Sequence, residues 1–314
     1  MVHSCVTARF QEARRPDTSG MEWAEAFERL GVVIASREQL LAMGATGRIL
    51  TAAVRRGELN RMRRDHYAQP DTSRHIIRCV RIGGRIGCLS TLAHLGIFAI
   101  DSSATHAHVD REASRLRDPD DCRRALSRRR RGVVVHWGGL IEPNGGTEYS
   151  VGVRDALAQV IRCQEPRFAI ASLDSALFQR AIRESDLSEI FAYLPDHFGS
   201  LRSRINGRAE AGQETILRLA LEDAGFHCEV QVTLPGVGRV DLLVEGCIVV
   251  EADSRLAHDG WDLHVRDRDR DIDAARLGYA SLRPAYNRTM FATDDVVQAV
   301  RALLFANHNF RARS

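Results

Sequence analysis

Two apolar runs, residues 240–244 and 247–253, are joined through Glu245 and Gly246 and carry carboxylates only toward their outer ends: Asp241 in the first, Glu251 and Asp253 in the second. A run that stops at a glycine turn and resumes folds back on itself, so this segment is a β-hairpin. Because side chains alternate along a strand, the loop length decides which residues share a face. With a two-residue loop Val244 pairs with Cys247, and Asp241 lies opposite Val250, facing away from Glu251. With the three-residue loop Glu245-Gly246-Cys247, Asp241 falls opposite Glu251 and both share a face with Asp253. We expect the odd-length loop, or a bulge at Asp241, because only that parity gathers the acids.

Carboxylates gathered at one strand edge repel one another unless a cation sits between them, and hard oxygen donors suit magnesium or manganese. Such an ion activates water and stabilises the charge that develops on a phosphodiester under attack. The spacing alone is weak evidence in a chain with 41 acidic residues. Its surroundings add to it. A helix over residues 213–224 precedes the strands, with Ile216, Leu217, Ala220 and Leu221 on one face and Glu214 in its first turn, where a carboxylate also complements the helix dipole. A strand at 228–234 leads into the hairpin. His258 and a helix over 264–277 follow, and Gly278-Tyr279 opens a last strand at 280–283.

Charge is divided unevenly along the chain. Residues 210–300 hold 9 Arg against 17 Asp plus Glu, a net of 9 − 17 = −8, so with +3 for all 314 residues the remainder carries +11. Arginine supplies every one of the 44 basic side chains, since the sequence has no lysine. A basic front and an acidic back suggest phosphate neutralisation in one half and cation binding in the other; an uneven solvated surface gives the same totals.

In the front half Ser36 and Gln39 form a capping box before Leu40 and Leu41, and Gly44 can end that short helix. A second helix fits residues 47–56, and residues 59–67 read as a small hairpin. Helix, turn, helix and hairpin is a winged-helix pattern. Its six arginines, Arg48, Arg55, Arg56, Arg61, Arg63 and Arg64, face a single acid, Glu58. If all six met phosphates, DNA affinity would drop by about 10³-fold between 50 and 200 mM salt. A packing module with a solvated arginine face is the alternative.

The middle of the chain reads as α+β, with strand-like stretches at 76–83, 104–109 and 133–137 and helices at 90–96, 153–163 and 167–183. Arg128, Arg129, Arg130 and Arg131 end an arginine-rich loop that either contacts phosphate or is simply solvated. His106, His108 and His136 lie in strand-like surroundings. No Cys, Asp or Glu completes a tetrahedral set with them at a familiar spacing, so we read them as polar strand residues. The seven cysteines include no C-x-x-C pair, which argues against a disulfide framework or a zinc ribbon. The first thirty residues lack an apolar core of the export type, and no run of about 18 apolar residues occurs. A cytoplasmic, nucleoid-associated protein with reduced thiols is expected.

Ser36-Arg37-Glu38-Gln39-Leu40 with Arg63-Arg64-Asp65-His66-Tyr67-Ala68 resembles the N-terminal domain of bacterial type IV antitoxins of the abortive-infection family, although Asp65 stands where that family usually has glycine. Gln213-Glu214, Gly238-Arg239-Val240-Asp241, the run 247–251, His258, Arg268-Asp269-Arg270-Asp271-Ile272 and Leu277-Gly278-Tyr279 resemble the very-short-patch-repair endonucleases of the restriction-endonuclease-like superfamily. The resemblance implies Asp241 as central metal ligand, Glu251 as second ligand, Glu214 as helper and His258 in proton transfer. Asp253 occupies a position that often holds a lysine, and arginine cannot replace it as a base. Either His258 and the metal-bound water move the proton, or the domain keeps the fold without catalysis. Arg266 and Arg270 either hold the scissile strand or belong to a helix of alternating charges.

The expected fold is α+β and multidomain. It comprises a lead-in with a short helix (1–31), a winged helix (32–70), an α+β middle domain (71–206) and a restriction-endonuclease-like α/β domain with a mixed central sheet (207–314). The expected activity is magnesium- or manganese-dependent DNA cleavage in repair or defence, on duplex, mismatched or branched DNA and without a membrane partner. A non-catalytic DNA-binding regulator and a module that recruits repair factors are the rivals.

Overall fold

The computed structural model describes residues 22–100, 103–127, 132–252 and 261–311. The expected lead-in over 1–20, the run Arg128 to Arg131, Asp253 and His258 lie outside these residues, as does the side chain of Arg266. The chain is α+β; among the described residues there are three sheets, and no helix is long and apolar enough to cross a membrane.

The first elements are α1 (Trp23–Leu30), β1 (Ile34–Ser36), α2 (Arg37–Ala42), α3 (Gly47–Arg56), β2 (Asn60–Arg63) and β3 (His66–Ala68). Ser36 caps α2 through the reciprocal box with Gln39, and Thr46 caps α3 by accepting from the Ile49 amide. Three strands form a sheet in the order β1-β3-β2. Trp23 and Phe27 pack with Leu40, Leu50, Leu59 and Tyr67, so the lead-in helix α1 belongs to this core. Asp65 takes the left-handed conformation, φ 61°, at the hairpin tip where the antitoxin resemblance has glycine. A short acidic side chain tolerates that conformation better than most.

The middle region contains α4 (Arg74–Ile82), β4 (Arg85–Ile86), α5 (Cys88–His94), β5 (Thr105–Asp110), β6 (Val133–Gly138), α6 (Val153–Cys163), α7 (Pro166–Phe178) and α8 (Glu184–Ala192), then a 3₁₀ segment, Asp196–Arg204. The expected strand at 76–83 is therefore a helix. Its β-branched content suggested a strand, but Ile76, Cys79, Val80 and Ile82 bury one helical face and Gly83, at φ 104°, stops it. The strand β5 pairs antiparallel with β4 and parallel with β6. The helices α5 to α8 pack around Leu92, Leu157, Ile161, Leu173 and Ile190.

The last region runs α9 (Gly212–Asp223), β7 (Cys228–Leu234), β8 (Gly238–Val244), β9 (Ile248–Val250), α10 (Trp261–Arg276), β10 (Ala280–Leu282), α11 (Tyr286–Phe291) and α12 (Thr293–Arg311). Its four strands stand in the order β10-β9-β8-β7; β7, β8 and β9 pair antiparallel and β9 pairs parallel with β10. Leu217 and Leu221 of α9 and Val296, Val297 and Val300 of α12 cover one face, against Val230, Leu242, Val244, Ile248 and Val250. Ala274 of α10 covers the other, against Val240, Leu243 and Val249. Burial on both faces accounts for the nearly continuous apolar runs of β8 and β9.

Candidate functional site

The hairpin has the odd-length loop. Val244 lies opposite Ile248 and Leu242 opposite Val250, leaving Glu245, Gly246 and Cys247 as the loop and bringing Asp241 opposite Glu251 as the register continues. Glu245 and Gly246 both have positive φ, 50° and 64°, and the Cys247 amide closes the turn on the Val244 carbonyl. On the other side of β8, Val230 opposes Leu242 and Val232 opposes Val240, so Gln231 faces Asp241.

Gln231 ties the site together. Its Nε2 donates to Oε2 of Glu214 at 2.8 Å and to Oδ1 of Asp241 at 3.2 Å, linking α9 to β8. Its φ of 53° is rare for a side-chain-bearing residue inside a strand, and strain of this kind collects at functional sites. The other oxygen of Asp241, Oδ2, accepts from the Ala252 amide at 3.0 Å. Glu214 is held from its own helix start, accepting from the amides of Glu210 and Ala211 at 3.1 and 3.0 Å. Glu251 is buried and lies between two guanidinium groups, with Arg270 Nη2 at 2.9 Å and Arg283 Nη2 at 2.5 Å. Arg270 also donates to the carbonyls of Val237 and Arg239, so its side chain is directed into the site.

All three carboxyls are harder to ionise than ordinary ones. Burial pushes Glu214 up to about 7, with the negative charge of Asp241 adding to it. Burial also raises Asp241, against the hydrogen bonds from Ala252 and Gln231. Glu251 is raised by burial despite Arg283 and Arg270, with Asp241 and Asp271 pushing the same way.

A pH dependence follows in metal-free solution. Between the unfolded value of 4.5 and the folded value of about 7, native Glu214 keeps its proton while the unfolded chain has lost it. Stability from this group is therefore complete below the unfolded value and is lost as pH rises through the folded one, by at most about 3 kcal/mol. Urea denaturation from pH 5 to 8 in chelator should show stability falling with pH, and Glu214→Gln should make the slope shallower. An equal slope in the variant contradicts this account.

The carboxylate oxygens of Glu214, Asp241 and Glu251 do not all close within 4.8 Å of one another; among the described residues the group that does is Cys88, His106, His136 and Cys163. The three histidines lie in strands as expected, but two of them have sulfur neighbours that the sequence reading did not find. His106 and His108 are buried, at 3% and 4% exposure, and His136 is half-buried. Two cysteines do complete a set with His106 and His136. Neither is near them in sequence: Cys88 opens α5 and Cys163 closes α6, and packing of these helices beside β5 and β6 brings them in. His108 instead contacts Gln159, whose Oε1 accepts from the Cys88 amide. The Cys163 thiol is held far below its ordinary range by a hydrogen bond from Cys88 and further ones from His106 and His136, against burial. Burial and the bond to Cys163 raise Cys88.

The front arginines form an outward surface. Arg48, Arg55 and Arg56 of α3 are exposed, as are Arg61 and Arg64 of the hairpin, while Arg63 is half-buried. Arg56 makes a two-pronged pair with Glu58 at 2.6 and 3.0 Å, and Arg64 lies 3.5 Å from Asp65.

No family model matches this chain, and no curated protein matches it. The geometry therefore carries the functional reading. Gln231, Arg283 and the two cysteines were missed in the sequence. A lone amide within an apolar strand was the available signal for Gln231, whereas the cysteines gave none.

Proposed function

We propose that the protein is a metal-dependent DNA endonuclease whose cleavage site is the carboxylate group at the end of β8 and β9. The observation that carries this reading is the Gln231 bridge between Glu214 and Asp241, with Glu251 next in register: two buried acids and one half-buried, each made harder to ionise by burial. A divalent cation offsets that effect, and the oxygen donors are of the hard type that magnesium and manganese prefer. Asp241 and Glu251 would hold the ion, with Glu214 as helper, and the ion would supply an activated water and charge stabilisation for the phosphate. Within the chain itself, Gln231 orients Glu214 and Asp241, and Arg270 and Arg283 keep Glu251 at the strand end. The order α9-β7-β8-β9-α10-β10, with its mixed sheet, supports a restriction-endonuclease-like domain. The order of α1 to β3 supports a winged helix with Arg48, Arg55 and Arg61 exposed toward phosphate, while Arg56 and Arg64 would first have to leave Glu58 and Asp65.

A second reading has its own observation. Arg270 and Arg283 already neutralise Glu251, which would leave a DNA-binding regulator with a nuclease fold and no cation. Supercoiled plasmid and mismatched oligonucleotides incubated with magnesium or manganese distinguish the two. Nicking that requires the added cation and disappears in Asp241→Ala supports the nuclease. Salt-sensitive binding with no cleavage under either cation supports the regulator.

A further inference from the structure

We infer that Cys88, His106, His136 and Cys163 form a structural zinc site in the middle region, independent of the carboxylate group. Four ligand atoms from α5, β5, β6 and α6 all lie within 4.8 Å of one another. A tetrahedron with Zn–N bonds of about 2.0 Å and Zn–S bonds of about 2.3 Å has N···N edges of about 3.3 Å and N···S edges of about 3.6 Å. Nδ1 of His106 lies 3.2 Å from Nε2 of His136 and 3.9 Å from Sγ of Cys163. These separations suit one ion. They are too short for a cluster of two irons divided between the sulfur and nitrogen pairs.

The chemistry of the set selects the metal. Two sulfurs and two imidazole nitrogens are the borderline-soft combination that zinc takes with tetrahedral geometry. Two thiolates cancel the charge of a divalent ion, so the filled site is neutral, as burial at Cys88 and His106 requires. Four protein donors complete the coordination, so the site is structural and offers no open position to a substrate.

The surroundings hold the donors in place. Cys88 sits at φ 47°, a strained conformation for a cysteine, with its amide bound to Gln159 at 2.9 Å. The His106 amide donates to Ser90 at 2.9 Å, and Gln164 Nε2 lies 3.3 Å from the Cys163 sulfur. Outer partners of this kind orient metal ligands. An ion here would fasten α5 and α6 to β5 and β6, joining the helical core to the sheet beside it.

The full chain, purified under reducing conditions without chelator, is expected to carry about one zinc ion by elemental mass spectrometry. Cys163→Ser and His136→Asn should lower the content by about fivefold or more, while Cys122→Ser, a thiol outside the set, should not. Cobalt exchanged into the wild-type chain should give the visible bands of a tetrahedral ion and a thiolate charge-transfer band, a readout that needs no variant to fold. Cys163→His should retain metal with a shifted cobalt spectrum. Zinc below about a tenth of an ion per chain with every thiol reduced overturns the inference. So does zinc retained at full level in both ligand-loss variants, or a Cys88–Cys163 disulfide in peptide maps of the untreated protein.

Discussion

Arg218→Ala should destabilise the folded chain by about 3–5 kcal/mol, the cost of stripping one partner from a buried ion pair. Arg218 of α9 and Asp174 of α7 have side chains 4% and 0% exposed, with Nη2 3.1 Å from Oδ2. The same Nη2 donates to the Arg204 carbonyl at 2.8 Å, and Nη1 reaches both oxygens of Glu222 at 3.0 and 3.1 Å. Asp174 also accepts from Thr215 Oγ1 at 2.8 Å and from the Asn206 amide at 2.7 Å. Without the guanidinium, a carboxylate remains in the interior with only neutral donors. The midpoint of thermal unfolding should fall by roughly 10 °C. Asp174→Leu combined with Arg218→Met should recover most of the loss, because two apolar side chains leave no uncompensated charge. A loss below about 1 kcal/mol in the single variant, or a double variant as unstable as the single one, contradicts the account. Since Thr215 is the neighbour of Glu214 on α9, this network also fixes the helix that delivers Glu214 to the carboxylate group.

Gly84→Ala is expected to be nearly as damaging, for a steric reason. A β-carbon at this position would sit inside the van der Waals radius of the His108 carbonyl oxygen and press on Cγ1 of Val109. The obstacle is backbone of β5, held by pairing with β4 on one side and β6 on the other, so no rotamer change relieves it. Overpacking commonly costs 1–3 kcal/mol, and a rigid neighbour puts this case at about 3 kcal/mol or slightly above. Thermal unfolding should drop by about 6–12 °C, and hydrogen exchange in β4 and β5 should speed up selectively. Unchanged exchange there would mean that the strands separate at little cost.

Several parts of this molecule are legible in its amino-acid sequence because the physics that forms them is local. The capping box of Ser36 and Gln39 needs three residues of context, and it forms as expected. The bounds of α3 and α6 match the residues at which their apolar period begins and ends. The odd-length hairpin loop over Glu245, Gly246 and Cys247 forms as expected, with Val244 opposite Ile248. Residues 74–82 are helical for an equally local reason: Ile76, Cys79 and Val80 fall at helical spacing, which outweighs the β-branched residues among them.

By itself, then, the sequence determined the Ser36 capping box, most of the elements, the place of the hairpin, and the basic residues of α3 and its hairpin. The tertiary structure alone decided three further things. It turned Gln231 into the link between Glu214 and Asp241, it buried Arg218 on Asp174, and it drew Cys88 and Cys163 to the two histidines. Each of these pairs residues from different elements, and such a meeting depends on how helices pack against sheets. Periodicity along one strand or helix reports which face is buried, but it carries no information about what waits on the other side.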